Sequence, residues 1–131
     1  MKKMKHYGDT VMVGDRRIPI SWGIEAGGFI FVSGMVAVDE KWQLKLDGDL
    51  TEQTHLIMRG IKRVLAMAEC ELGDIVRSQV YLKNAEDSPL FDELYGSYFG
   101  DKPPTRCGLV SGFLADGILV EIMVTAYKPD R

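Results

Sequence analysis

The sequence predicts an α+β sandwich, a single sheet covered on one face by two helices. Three observations lead there. Extended and helical patterns alternate in the order β-β-β-α-β-α-β-β. Two segments, 57–68 and 90–98, carry an apolar stripe at helical spacing. Several strand-like runs are apolar on both sides, most clearly Phe29-Ile30-Phe31-Val32, which suits a sheet buried from both directions.

The N-terminal part reads as β. Thr10 to Val13 and the run Ile18 to Ile20 flank a turn at Gly14-Asp15-Arg16-Arg17. Lys2, Lys3 and Lys5 before them read as a frayed, solvated end. Ser21 to Ala26 leads into Gly27-Gly28, a hairpin signal, because glycine takes the positive φ such turns need. The apolar strand Phe29 to Val32 ends at Ser33-Gly34. A short extended piece, Met35 to Val38, then reaches the polar turn Asp39-Glu40-Lys41.

Asp49 is a predicted N-cap, with Glu52 closing a capping box. Ile57, Ile61, Val64, Leu65 and Ala68 form the buried stripe of this helix, and Arg59, Lys62 and Arg63 its wet side. The helix is expected to end between Cys70 and Gly73. Ile75 to Lys83 reads as a strand with Val76, Val80 and Leu82 on one face and Arg77, Gln79 and Tyr81 on the other. Ser88-Pro89 opens a second helix, with Ser88 as N-cap and proline where its missing N–H costs nothing. Leu90, Phe91, Leu94, Tyr95 and Tyr98 give its apolar face, and Gly100 its stop. Two strands follow, 106–114 and 118–127, joined through Ala115-Asp116-Gly117 as a hairpin.

The last strand poses a physical problem. Ile118, Val120, Ile122, Val124 and Ala126 point one way, and Leu119, Met123 and Tyr127 the other. Two helices cover one face only. The uncovered apolar face therefore predicts a homo-oligomer, or an N-terminal segment folded over it.

Composition narrows the function. The chain has 131 residues, read as one domain spanning 1–131, with 46% hydrophobic and 27% charged residues. A formal charge of −3 leaves no electrostatic footprint for nucleic acid. No apolar run approaches the roughly 20 residues that span a bilayer, so no membrane partner is expected. Two cysteines, Cys70 and Cys107, without a visible secretory signal point to free thiols in the cytoplasm. The two histidines, His6 and His55, lack metal-ligand spacing, so no metal is expected.

Two residues stand out as chemical candidates. Lys102-Pro103-Pro104-Thr105 stiffens the approach to Arg106. An arginine so presented is a fork of N–H donors suited to a carboxylate or phosphate. Glu121, between Val120 and Ile122, is a carboxylate in an apolar strand. Burying it is costly unless it is paired or functional, so it is a candidate general base. In the expected hairpin Glu121 faces residue 110 or 111 and Arg106 faces 125 or 126, leaving them on the order of 15 Å apart. A substrate, a bulge or a pocket shared between subunits would each bridge that gap. Gly34 allows backbone to approach a ligand closely. Cys107 reads as packed and inert.

The segments Ala26 to Gly34, Gln53-Thr54, Ile61 to Leu65, Asp74-Ile75-Val76, Tyr98-Phe99-Gly100, Pro104-Thr105-Arg106 and Leu119 to Ile122 resemble the RidA family, also called YjgF. The resemblance runs from about Pro19 to Tyr127 and leaves 1–18 as an extra N-terminal segment. It implies a chorismate-mutase-like mixed β-sheet with two helices on one face, assembled as a homotrimer with clefts between subunits. It also implies hydrolysis of small reactive 2-imino or enamine acids, of the 2-aminoacrylate type, to 2-keto acids and ammonia without a cofactor. By this similarity Arg106 would hold the substrate carboxylate and Glu121 would position or activate water. Ser33, Gly34 and Cys107 would line the cleft, with Ile20 and Asp92 at positions where the family carries a tyrosine and an asparagine. Trp22 replaces the family's glutamine, and Gly108 replaces a cysteine. These departures support a second reading, a non-catalytic binder or sensor of small carboxylates. RNA cleavage, also attached to the family, fits poorly with the acidic balance.

Overall fold

The computed structural model describes residues 3–130. Ten strands and helices appear in the order β1 (Met4–Tyr7), β2 (Val11–Val13), β3 (Arg16–Ile18), β4 (Gly23–Ala26), β5 (Phe29–Val32), α1 (Leu50–Met67), β6 (Ile75–Leu82), α2 (Ser88–Gly96), β7 (Thr105–Val110) and β8 (Val120–Tyr127). The α+β class and the two helices agree with the sequence. Six strands form one sheet in the order β1-β4-β5-β8-β6-β7, and β2 and β3 form a separate ribbon. All pairs in the large sheet are antiparallel except β6 with β7.

The core lies between the sheet and the helices. Ile57, Ile61, Val64 and Leu65 of α1 are fully buried, as their spacing predicts. They meet Ile30 and Val32 of β5 and Val120, Ile122, Val124 and Ala126 of β8 in one cluster. Phe91 and Tyr95 of α2 join it, and the buried Tyr95 hydroxyl donates to Ser78 Oγ of β6 at 2.8 Å. The opposite face of the sheet carries no helix. Phe29, Phe31, Met123 and Tyr127 stand exposed there.

Asp49 caps α1, its carboxylate accepting from Glu52 N at 2.9 Å. The return half of the expected capping box is not made. Glu52 pairs instead with Lys45 at 3.0 Å, a nearby cation in the preceding loop. The helix stops at Met67, earlier than expected, because Glu69 turns left-handed at φ 60°. Gly27 and Gly28 take φ of 60° and 84°, as the tight hairpin requires.

Several expectations are overturned. Lys5 is not part of a frayed end; Lys3 is exposed and outside any strand, and Lys2 lies outside the described residues. Met4–Tyr7 adds a strand to the edge of β4, and Lys5 lies opposite Glu25. The turn at Gly14 is two residues long, so Arg16 and Arg17 belong to β3. In β6 a register shift between Ile75 and Arg77 turns Val76 outward. Ile75, Ser78, Val80 and Leu82 are the buried set. Leu90 is exposed, and the N-cap of α2 is Asp87 rather than Ser88, after a short 3₁₀ turn, Ala85–Asp87. The hairpin between the last two strands does not form. Strand β7 runs parallel to β6, and β6 separates it from β8. The connection through α2 permits that parallel return, which a tight turn cannot make.

Tyr7 ties the added strand down. Its buried hydroxyl donates to Glu25 Oε1 at 2.7 Å. Burial and the Glu25 carboxylate push the phenol up to about 12, and the same bond holds the Glu25 carboxyl below its ordinary value. Tyr7→Phe should lower unfolding free energy by about 1–2 kcal/mol at neutral pH. A depressed carboxyl stabilises above its unfolded pKa and loses that contribution on acidification. The Tyr7→Phe deficit measured by denaturant unfolding should therefore shrink as pH falls below the ordinary glutamate range.

Candidate functional site

Strand parity decides where the two chemical candidates point. Arg106 pairs with Ser78, whose side chain is buried under α2, so Arg106 lies on the helix face. Glu121 pairs with Tyr81, one position out of phase with the buried Val80 and Leu82, so it lies on the open face. The two residues are three positions apart along the strands and two strands apart across the sheet. That places their backbones on the order of 14 Å apart. The predicted separation is similar but its origin is different, because the expected hairpin is absent. The sheet itself stands between the two side chains.

Glu121 sits in a desolvated corner. No hydrogen bond or ion pair among the described residues ends on it. Burial alone raises its pKa above the ordinary carboxylate value. Gly34 makes room for it: a Cβ there would stand 2.3 Å from Glu121 Oε2. Gly34 is held in place by Met35, whose backbone exchanges hydrogen bonds with Ile122 at 2.8 and 3.1 Å. Ile20, Gly34 and Glu121 line one apolar cavity of about 270 Å³, with Trp22, Leu114 and Ile118 among its walls. Glu121 also borders a shallower depression with Tyr81 and Phe113.

Arg106 occupies a different cleft, about 500 Å³, between α2 and β7. Its Nη2 donates to Asp92 Oδ1 at 2.7 Å. The guanidinium carbon stands 5.3 Å from the Tyr95 ring centre and 5.8 Å from that of Phe91. Two sequence-predicted residues, Arg106 and Asp92, thus form an ion pair. Cys107, expected to be packed, is exposed on the open face, opposite Gln79, because β7 is an edge strand with every residue exposed. The Ser33 hydroxyl proton is committed within the fold. The hydroxyl donates to Ser21 O at 2.5 Å and ties β5 to the segment before β4.

One structural residue was visible only through resemblance. The fully buried Gln53 of α1 donates to Gly117 O at 2.8 Å and accepts from Leu119 N at 3.0 Å. It fixes the loop that delivers Glu121. A glutamine in phase with the apolar stripe, four residues before Ile57, is the signal that could have identified it.

Fold and site describe a small α+β protein that presents an aspartate-paired arginine on one sheet surface and a desolvated carboxylate on the other. A family model described as Endoribonuclease L-PSP matches residues 16–128. A RutC family protein of Pyrococcus horikoshii is 36% identical over 110 residues, covering 84% of this chain and 87% of that protein. The 3-aminoacrylate deaminase RutC of Acinetobacter baylyi is 28% identical over 103 residues, covering 79% and 82%. A structure of a Rid-family protein from Yersinia pestis, of unknown function, superposes with a TM-score of 0.84 at 25% identity, covering 95% of this chain and 99% of that one. A YjgF-family structure from Neisseria meningitidis gives 0.81 at 24% identity over 98% of both chains, which shows the shared fold. The chain belongs to the RidA/YjgF family, of which it is a divergent member. Among the described residues no helix is long and apolar enough to cross a membrane.

Two predictions follow from Glu121. A carboxyl whose folded pKa is raised favours the protonated fold. Its stabilising contribution is complete below the unfolded pKa and is lost as pH rises through the folded value. Glu121→Gln should therefore gain stability relative to the native chain as pH is raised from 4 towards 7, by about 1 kcal/mol in thermal or denaturant unfolding. Gly34→Ala should push the carboxylate out of its corner. It should abolish the elevated glutamate titration, read by carboxyl NMR, while the fold survives.

Proposed function

We propose that this protein hydrolyses small reactive 2-imino acids to 2-keto acids and ammonia, in clefts shared between copies of the chain. The observation that carries the reading is the opposition of Arg106 and Glu121 across the sheet. One chain cannot bring them to one small substrate. A second copy packed on the exposed Phe29, Phe31, Met123 and Tyr127 can supply the missing half. A homotrimer with three such clefts is the assembly proposed, and it covers that apolar face. The similarity to the 3-aminoacrylate deaminase of Acinetobacter baylyi supports the reaction class.

The chemistry asks for three things. Arg106 grips the substrate carboxylate through its remaining N–H donors. Glu121, made more basic than an ordinary glutamate by burial, takes a proton from water as that water attacks the imine carbon. The carbinolamine nitrogen takes that proton; as the C–N bond breaks, the carbinol hydroxyl gives its proton to Glu121, and the 2-keto acid leaves with ammonia, which carries the proton away as ammonium. Gly34 keeps the carboxylate corner open. None of these steps calls for a cofactor.

The second reading, a carboxylate binder or sensor without turnover, is favoured by one feature. Arg106 already holds a carboxylate, that of Asp92. The deaminase reading is tested by generating 2-aminoacrylate with a serine dehydratase and following keto-acid release. Arg106→Ala and Glu121→Gln should each reduce the acceleration by at least about a hundredfold. No acceleration by the native protein, alongside measurable 2-ketobutyrate affinity, would establish the binder instead. A mixing experiment tests the shared cleft. Unfolding and co-refolding equal amounts of the two inactive variants should restore about a quarter of native activity, the statistical yield of random trimers. Sites confined to single chains would restore none.

A further inference from the structure

The cleft around Arg106 is built differently from a simple anion site. It brings together one cation and one anion, Arg106 and Asp92, and surrounds them with Val80, Leu82, Phe91 and Val110. Asp92 takes a single guanidinium nitrogen, Nη2. An arginine has five N–H donors, so the others stay available to a ligand carboxylate. The two charged side chains remain open to a ligand, 34% and 50% exposed. Asp92 nonetheless changes what a ligand meets. A bare anion arriving at Arg106 finds a guanidinium already neutralised and places a second carboxylate beside the first. A zwitterion brings a cation of its own for Asp92, and two opposite charge contacts form at once. An uncharged asparagine at this position would leave a net positive site open to any anion.

We infer that the cleft between α2 and β7 selects small zwitterions with an apolar substituent, the carboxylate meeting Arg106 and a cationic N–H facing Asp92. It discriminates against singly anionic 2-keto acids. This rests on the proposed deaminase only for its biological meaning. An imino acid in its iminium form is zwitterionic, and its keto-acid product is not. Hydrolysis therefore removes the charge that Asp92 holds and favours product release. Asp92 is a specificity residue in this account.

The test needs no turnover. L-2-Aminobutyrate and 2-ketobutyrate share a carbon skeleton and differ in the charged nitrogen. Each is titrated calorimetrically into the full chain and into its Asp92→Asn and Arg106→Ala variants. The native protein should bind the amino acid more tightly. Asp92→Asn should shift the ratio of the two affinities towards the keto acid by about fivefold, the size of one solvent-open charge contact. Arg106→Ala should weaken both ligands. The substitution at Asp92 is nearly isosteric and exposed, so folding is retained, as thermal unfolding would verify. An unchanged ratio in Asp92→Asn, a native preference for the keto acid, absence of binding by either ligand, or indifference to Arg106→Ala would overturn the inference. The deaminase assay fails or succeeds independently. Turnover with an unchanged ratio sinks the zwitterion reading alone, and a shifted ratio without turnover sinks the deaminase reading alone.

Discussion

Strand β6 lies between β7 and β8, and the arrangement of the site depends on that placement. The chain leaves β6, passes through α2 and returns parallel to it as β7. It then crosses β6 and inserts as β8 between β5 and β6. Two adjacent segments of sequence are thereby separated by a whole strand. Because side chains alternate across a sheet, the register on each side of β6 fixes the face on which each residue falls. Ser78 carries Arg106 to the helix face, and Tyr81 carries Glu121 to the open face. A slip of one residue in either pairing would reverse the assignment. The buried Tyr95–Ser78 bond helps prevent that slip by pinning α2 to one register of β6.

Each half of the site has its own electrostatic setting. Glu121 is desolvated and unpartnered among the described residues, a condition that raises its basicity. Arg106 is solvent-open, held against two aromatic rings and partnered by Asp92. The first setting suits proton transfer. In the proposed reading, the second meets a small charged ligand. They are built from different supports: a glycine that removes a Cβ for the glutamate, and a helix that supplies a carboxylate and two rings for the arginine.

The loop that delivers Glu121 is held by polar contacts to a buried side chain. Gln53 spans from α1 to the segment ahead of β8 and satisfies Gly117 O and Leu119 N, backbone groups that have no sheet partner there. The β2–β3 ribbon and Trp42 close the cavity next to Glu121. The Trp22 and Trp42 ring centres lie 4.6 Å apart with the rings tilted by 36°, and the Arg63 guanidinium carbon lies 3.6 Å from the Trp42 ring centre. These contacts join residues far apart in the chain, so no local pattern announces them.

The sequence by itself determined the elements whose cause is local. The α1 stripe, the Asp49 cap, the Gly27-Gly28 turn and the inward row Val120, Ile122, Val124 and Ala126 follow from periodicity and backbone preference. Glu121 and Arg106 were legible as chemically odd residues, and the family resemblance marked Gly34, Ile20 and Asp92. Tertiary structure decided what depends on strand neighbours. Met4–Tyr7, with a lysine and a histidine in four residues, becomes a strand because β4 offers an open edge and Tyr7 finds Glu25. Leu90 and Val76 turn outward because a helix rotation and a bulge are set by packing. The face on which Arg106 and Glu121 stand is absent from the sequence pattern, since alternation gives relative phase within one strand only. The phase between strands comes from hydrogen-bond register, and that exists only once the sheet has formed.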